Sequence, residues 1–204
     1  MNVPLELRRR LHATIDPDDD RGFTLVELLV ATLLFSLVGS LVAAIFISTL
    51  NVQQTVTGVS ASTSSAQSAA NNVDSTLRNA SGYLLTASGS DQLLVARVAG
   101  TGSTLTWSCR AFYYSASAGS IRAYTGAVGT KITAPTSTSL ATWGLLTTGV
   151  TPRSGSTIFT DVDGVTMQVA FDVTGANKKV AMQFSTSRPI GVATITLAES
   201  DKCY

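Results

Sequence analysis

Histidine is nearly absent from this sequence, and that absence limits the chemistry the protein can perform. The single histidine, His12, lies in the N-terminal stretch, so no imidazole follows Phe23. A Ser-His-Asp or Cys-His catalytic arrangement and a histidine-ligated metal site are therefore excluded beyond that point. We expect no catalytic residues and no enzymatic activity.

Cysteine and charge are also scarce. Cys109 and Cys203 are the only cysteines, too few for a four-cysteine zinc site or an iron–sulfur cluster. No metal and no cofactor is predicted. Charged residues make up 13% of the chain and leave a formal net charge of +1. Nucleic-acid-binding proteins carry a clustered basic surplus, so no nucleic-acid contact is inferred.

Apolar residues are concentrated near the N-terminus. Glu27 is the one charged residue between Phe23 and Leu50, and no charge occurs from Leu28 to Val73. A helix needs roughly 20 apolar residues to cross the bilayer core. At about 1.5 Å per residue, residues 23–50 would reach about 42 Å. The stretch predicts a membrane-spanning helix.

Basic residues near this stretch lie on its N-terminal side. Arg8–Arg10 and Arg21 precede it, and the next basic residue is Arg78. By the positive-inside rule, the N-terminus stays cytoplasmic and the C-terminal body is exported. An ordinary secretory signal is the alternative, but its apolar region has only about 7–15 residues. The cleavage-like Val42-Ala43-Ala44 lies inside the apolar run.

The junction before the apolar run is the most specific pattern in the chain. It reads Arg21-Gly22-Phe23-Thr24-Leu25-Val26-Glu27. A basic residue, a glycine, an aromatic residue and an acid at the fifth position after the glycine lead into a charge-free helix. This resembles the N-terminus of type IV pilin-like precursors, which include type IV pilins, minor pilins and pseudopilins. The resemblance covers residues 21–50, and the proline that many pilins carry mid-helix is absent.

The resemblance implies how the protein is processed and where it works. A prepilin peptidase would remove the leader, residues 1–22, between Gly22 and Phe23, and Phe23 would be N-methylated. The product would be a minor pilin or pseudopilin, single-pass in the cytoplasmic membrane with its head exported. Its partners would be membrane lipid, the inner-membrane assembly platform and other pilin or pseudopilin subunits. Assembly would place it in a cell-surface pilus or a pseudopilus; the filament system stays open.

Glu27 would lie one helical turn from the amine that cleavage exposes on Phe23. A charged residue near the centre of a membrane helix costs about 2.5–3.5 kcal/mol on insertion scales. The helix dipole and a nearby ammonium group both reduce that cost. The resemblance implies that Glu27 pairs with the Phe23 amine of a neighbouring subunit during assembly. The alternative is a carboxylate that only sits at headgroup level.

Residues 51–80 carry an amphipathic pattern, with apolar or small residues in steps of four and three. The pattern predicts that the helix continues to about Ala80 with this half laid on a β-rich body. A coiled coil is the alternative, although small residues would form a weak seam. The stripe consists of Val52, Val56, Val59, Thr63, Ala66, Ala70, Val73, Leu77 and Ala80.

After Ser81-Gly82 the pattern changes to the period of two that is typical of strands. The predicted fold is α+β and pilin-like, a long N-terminal helix packed on an antiparallel β-sheet head of residues 81–204. Residues 126–160 are interpreted as a long loop with some strand near Trp143. Candidate strands are 83–87, 92–98, 104–108, 110–115, 120–124, 165–171, 180–185 and 193–197, with hairpin loops at 116–119 and 174–177.

Cys109 and Cys203 are predicted to form a disulfide, because an exported domain meets oxidising conditions and the cysteine count is even. Pilins often fasten their C-terminal region in this way, so the resemblance supports the pairing. Cys109 is expected between two strands. Entropy models value such a bond at about 4–5 kcal/mol as an upper figure. Two free buried thiols are the alternative.

Two further patterns have a structural and a functional interpretation. Asp161-Val162-Asp163-Gly164 is the composition of a turn, and the calcium-loop alternative lacks its further ligands. The aromatic residues Trp107, Phe112, Tyr113, Tyr114 and Tyr124 are expected partly in a core, with a sugar-binding or adhesive surface as the alternative.

Two rival functions remain open. One is a membrane-anchored extracytoplasmic binding or adhesion protein that keeps its leader and is not part of a filament. The other is an exported enzyme that would use Asp161, Asp163 and Asp172 as carboxylates.

Overall fold

The computed structural model describes residues 24–100, 106–176, 178–187 and 202–204. The chain divides into two compact units, residues 1–50 and 51–204, and helix α1, Leu25–Arg78, contributes to both. The strands that follow α1 in the described residues are β1 Ala80–Ser88, β2 Asp91–Ala99, β3 Trp107–Ser115, β4 Ser120–Ala127, β5 Gly144–Thr148, β6 Val150–Pro152, β7 Phe159–Asp161, β8 Thr166–Gly175 and β9 Lys178–Ser187. A short 3₁₀ helix, Leu140–Thr142, precedes β5.

The predicted long helix is confirmed. It ends at Arg78, close to the expected Ala80, and its expected start at Phe23 lies just outside the described residues. Asn79 terminates the helix, because its backbone N–H donates to the carbonyl oxygens of Ser75 and Thr76. Its side-chain Nδ2 donates to the Ser75 oxygen as well, at 2.8 Å. The carbonyls of Ser75 and Thr76, two of the last four of the helix, are thereby satisfied.

The amphipathic stripe is buried only in its later part. Ala66, Val73 and Leu77 are fully buried, whereas Val52 and Val56 remain exposed by 59% and 61%. The prediction that the whole stripe packs on the β-rich body is therefore wrong for those two valines. The β8–β9 turn contacts the helix at Gly58 and Ser62, which lie beyond both valines in the chain.

The first sheet is an antiparallel meander in the order β1-β2-β3-β4-β5. β2 is its most buried strand, with seven consecutive buried residues from Gln92 to Val98. A strand buried on both faces reads as a continuous apolar run, as in Leu93–Ala96. The predicted strands 83–87, 92–98 and 120–124 are confirmed with longer bounds, and the loop at 116–119 joins β3 to β4.

The prediction of two strands on either side of Cys109 is wrong. β3 is one strand from Trp107 to Ser115, and Cys109 lies inside it, opposite Arg97 of β2. Residues 104–105 of the first predicted strand lie outside the described residues. In the sequence, the polar residues Ser108 and Arg110 on either side of Cys109 resemble a break between two strands. In the structure they belong to one strand, in which the buried Cys109 alternates with polar neighbours.

The second sheet is built around β8. β9 pairs along its whole length, while β6 and β7 pair with different parts of β8, at 171–173 and 167–169. β8 and β9 confirm the predicted strands 165–171 and 180–185. The expected strand near Trp143 is β5, but β6 and β7 in the same segment were not predicted. The candidate strand 193–197 and Asn177 of the second hairpin loop lie outside the described residues.

Two large hydrophobic clusters and a small third one, Ala80, Ala96 and Val98, form the interior of the described head. The larger one joins α1 to both sheets, through side chains such as Val73 of α1, Phe112 of β3 and Phe171 of β8. The second lies on the opposite face of the first sheet, where Leu93 and Cys109 pack with Ile132, Trp143 and Cys203. Alternation along β2 explains the division, because successive side chains point to opposite faces.

Gln92 joins the two sheets through its side chain. It is 2% exposed, and its Nε2 donates to the Phe159 carbonyl at 2.8 Å. Its Oε1 accepts from the N–H groups of Ile158 at 2.7 Å and Phe159 at 3.0 Å. One amide therefore satisfies three buried backbone groups at the start of β7.

We predict that Gln92→Leu destabilises the head by about 2–5 kcal/mol, because it leaves three buried polar groups unpaired. Gln183→Leu, at an exposed position of β9, serves as the matched control and is expected to change stability by less than about 0.5 kcal/mol. Urea unfolding of the full chain in detergent, followed by near-ultraviolet circular dichroism, measures both. Equal effects of the two substitutions would contradict this role of Gln92.

The helix and the β8–β9 turn approach closely because each contributes a glycine. A Cβ at Gly58 would lie 2.7 Å from the Cβ of Ala176, and a Cβ at Gly175 would overlap the Oγ of Ser62. Ala176 itself adopts a φ of 47°, the left-handed region required by the turn. These two glycines fix the point where the head first meets the helix.

We predict that Gly58→Val destabilises the head by about 1–3 kcal/mol, although valine is the better helix former. The added side chain has to displace the turn at Ala176. Ser60→Val introduces the same side chain two residues further along, at an exposed position, and is expected to be nearly neutral. Thermal unfolding of both variants compares them, and a stabilised Gly58→Val protein would show that the contact is not tight.

Candidate functional site

Helix α1 begins with a side-chain cap. The Oγ1 of Thr24 accepts a hydrogen bond from the Glu27 N–H at 3.2 Å, and the Thr24 carbonyl accepts from the Leu28 N–H at 3.1 Å. Thr24 is therefore the N-cap, a role that satisfies one of the free N–H groups of the first turn. Thr24 is not among the residues predicted from the sequence, although the pattern Thr-x-x-Glu is a capping signal.

Glu27 lies in the first turn of the helix and is exposed. Its backbone N–H is used by the cap, while its carboxylate has no hydrogen-bond or ion-pair partner among the described residues. The positive end of the helix dipole favours a negative group at this position. Gly22 and Phe23, the predicted cleavage and methylation residues, lie outside the described residues.

The first unit presents an apolar surface with no protein packed on it. Every residue from 24 to 50 is exposed, including Phe35 at 81% and Leu25 at 78%. The most apolar 18-residue window of α1 has a mean hydropathy of 2.5 and contains no buried residue. By length and composition, this is the one helix of the described chain that could cross a membrane.

Four hydroxyl groups in this segment are satisfied within the helix. Thr32, Ser36, Ser40 and Thr49 each donate to a backbone carbonyl three or four residues earlier, at 2.8–3.0 Å. An unsatisfied polar group in hydrocarbon costs several kcal/mol. Bonding back to the helix makes these residues compatible with apolar surroundings.

The C-terminal tail closes the second cluster of the head. Cys203 forms the predicted disulfide with Cys109 in β3, and both residues are buried. The carbonyls of Lys202 and Cys203 accept hydrogen bonds from the N–H groups of Gly129 and Ile132, both at 3.0 Å. The tail is thus held by one covalent bond and by two backbone bonds to the segment that covers the first sheet.

The comparisons with known proteins give one match, to the N-terminal segment. A family model described as the prokaryotic N-terminal methylation motif matches residues 18–43. No curated protein and no solved structure matches the chain significantly. The matched residues contain the Gly22-Phe23 junction, Glu27 and the start of the apolar helix. The N-terminal segment of this chain therefore carries the motif of type IV pilin-like precursors.

The acidic turn of the pilin-like head is organised by its own backbone. The Oδ1 of Asp163 accepts hydrogen bonds from the N–H groups of Thr166 and Val165. These bonds, that from Thr166 first, favour the ionised carboxylate and lower the pKa of Asp163 below its ordinary value. The described residues contain no group of three or more His, Cys, Asp or Glu side chains that could hold a metal ion.

Asp161 is engaged in the same turn. Its Oδ1 accepts from the Gly164 N–H at 2.7 Å and from the Tyr83 hydroxyl at 3.0 Å. Asp172 lies elsewhere, because β7 pairs Asp161 with Met167 and Asp172 is five residues further along β8. At about 3.4 Å per residue that separation is about 17 Å. The structure therefore does not bring Asp172 to the other two aspartates.

Most of the aromatic run lies in the interior. Phe112 and Tyr114 belong to the larger cluster and Tyr113 to the second. Burial first, and then the hydrogen bond to the Asp91 carboxylate, raise the pKa of Tyr113 to about 12. Tyr124 is 38% exposed and stacks on Trp143 with ring centroids 5.2 Å apart. The core interpretation therefore holds for three of the five residues.

We predict that the double substitution Cys109→Ser with Cys203→Ser lowers the stability of the pilin-like head by about 2–5 kcal/mol. The tail would lose its covalent link and keep its backbone bonds to Gly129 and Ile132. Urea midpoints of the wild-type and double-variant proteins, each with and without dithiothreitol, measure the effect. An unchanged midpoint in the double variant would contradict the role assigned to the tail, and reductant should not affect that variant.

Proposed function

We propose that this protein is a structural subunit, a minor pilin or pseudopilin, of a type IV pilus or of a type II secretion or competence pseudopilus. The proposal rests on one observation. The methylation motif at residues 18–43 leads into a helix, and residues 24–50 are all exposed. An apolar helix of this length requires lipid or other apolar helices around it. A filament subunit meets lipid before assembly and neighbouring helices after it.

The same proposal assigns a role to each part of the chain. A prepilin peptidase removes residues 1–22 by cutting between Gly22 and Phe23, and Phe23 is then N-methylated. Residues 23–50 hold the subunit in the cytoplasmic membrane and later pack in the filament core. Residues 51–80 form the amphipathic half of the helix, and residues 81–204 form the exported head. The assembly platform and other pilin or pseudopilin subunits are the protein partners.

Glu27 is the residue proposed to set the position of one subunit against the next. Its carboxylate is exposed and has no partner among the described residues. In an apolar filament core such a charge is costly unless a cation neutralises it. The amine exposed on Phe23 of a neighbouring subunit supplies that cation. The cap at Thr24 uses only the backbone of Glu27, so the carboxylate remains available.

Replacement of Glu27 tests the pairing. We expect Glu27→Gln to reduce incorporation into sheared filaments by about tenfold or more, since the ion pair is lost in apolar surroundings. Thr24→Ala is the matched control, because it removes the helix cap at about 1 kcal/mol and keeps the carboxylate. It should incorporate nearly normally. Quantitative immunoblots of the filament and membrane fractions measure both variants.

Mass spectrometry of the N-terminus tests the processing separately. A chain that begins at Phe23 with one added methyl group is the expected product, and Gly22→Val should block cleavage. An intact leader would instead favour the membrane-anchored binding protein. Normal incorporation of Glu27→Gln would contradict the subunit pairing even if the leader is removed.

A further inference from the structure

A polar cavity opens on the head where α1 ends. Its volume is about 360 Å³, and it lies wholly within the second unit. Hydroxyl and amide side chains form its helical wall, and the ends of β2 and β3 form the opposite wall. The lining residues are Asn72, Ser75, Thr76, Asn79, Val98, Ala99, Gly100, Ser108 and Arg110.

Arg110 is the one charged residue among the described residues that line this cavity. It is half-buried, and it has no hydrogen bond or ion pair among the residues that the structure describes. Two other arginines of the head, Arg97 and Arg122, are also partly or fully buried, and both have partners. The Arg97 guanidinium lies 4.0 Å from the ring centroid of Trp107, and Arg122 donates to the carbonyls of Leu140 and Trp143.

The end of the helix does not account for Arg110. A cation can stabilise a helix C-terminus by donating to its last carbonyls. Here the carbonyls of Ser75 and Thr76 accept from Asn79, and the Asn79 carbonyl accepts from the Ala99 N–H. These groups are satisfied without the guanidinium, whose N–H donors stay available to a ligand.

The asparagines of the cavity offer the complementary groups. Asn72 donates its Nδ2 to the Ser68 carbonyl at 2.9 Å, and Asn79 donates its Nδ2 to the Ser75 carbonyl at 2.8 Å. Both side-chain oxygens are left as acceptors. The cavity thus combines one charged fork of donors with two neutral acceptors.

We propose that this cavity binds a carboxylate, held by Arg110, with Asn72 and Asn79 accepting N–H or O–H donors of the same ligand. A guanidinium stays charged at all accessible pH values, and its planar fork matches a carboxylate with two parallel hydrogen bonds. The carboxylate comes from an acidic side chain of another polypeptide or from a free small acid. The site is independent of the N-terminal processing and of Glu27.

Side-chain nitrogen NMR of the full chain in detergent micelles tests the site. The Arg110 Nε–Hε resonance is followed at constant ionic strength against sodium succinate and against the blocked peptide acetyl-Gly-Asp-Gly-amide. A saturable shift with either probe supports the site. Binding of the peptide about tenfold tighter than succinate identifies a polypeptide as the source, and equal or weaker binding identifies a free acid. No saturable shift with either probe, or an equal shift with the Asn analogue of the peptide, overturns the proposal.

Three variants separate binding from folding. Arg110→Gln should weaken binding of the better probe by about tenfold or more. Arg153→Gln, which removes an exposed arginine of the same head, should bind normally. Asn72→Leu keeps Arg110 but narrows the cavity from the helix, and it should also weaken binding. Unchanged affinity in both Arg110→Gln and Asn72→Leu, or equal loss in Arg153→Gln, overturns the assignment.

Discussion

The internal hydrogen bonding of α1 is the constraint on which the rest of the structure depends. A helix satisfies its own backbone groups, and in this one the hydroxyls of Thr32, Ser36 and Ser40 also bond back to it. One continuous element can therefore present side chains to two kinds of surroundings. Its first part is exposed along its whole length, while Ala66, Val73 and other residues of its later part are buried. The two parts differ in composition, because the first is mostly apolar and the second alternates apolar or small residues with polar ones.

The two sheets of the head share no ladder of backbone hydrogen bonds among the described strands, so other contacts join them. Gln92 provides such a junction with one buried amide, and the larger cluster fills the space around it. Between the helix and the second sheet the contact depends on small residues, because Gly58 and Gly175 allow α1 and the β8–β9 turn to approach closely. Polar groups are used sparingly and are mostly satisfied, as a buried interior requires.

The features that the sequence predicts are those set by local pattern. The helix, its membrane-like segment, β2, β4, β8 and β9 all follow from periodicity within a few residues. β6 and β7 do not, since each has three residues and depends on β8 and, for β7, on Gln92. The exposure of Val52 and Val56 depends on where the β8–β9 turn reaches the helix. The continuity of β3 through Cys109 likewise depends on its partner strand.

The candidate sites also differ in whether a local sequence pattern or only the fold reveals them. The junction at Gly22, Phe23 and Glu27 is contiguous in sequence and can be recognised directly. Thr24 could also have been found, because the spacing of Thr and Glu is a local signal. The cavity at Arg110 could not, since α1, β2 and β3 each contribute to it. Only the fold shows that this arginine, unlike Arg97 and Arg122, has no partner among the residues that the structure describes.

The bond between Cys109 and Cys203 has a mechanical consequence. It links β3 directly to the C-terminal tail across a sequence separation of 94 residues. A pulling force applied between α1 and the tail would pass through the sulfur atoms, so β4 through β9 would bear no tension. At about 3.4 Å per residue, the bond shortens the greatest possible extension of the chain by about 320 Å. Under strain, the oxidised chain lengthens through the residues that precede Cys109, while the loop that the bond closes keeps its length.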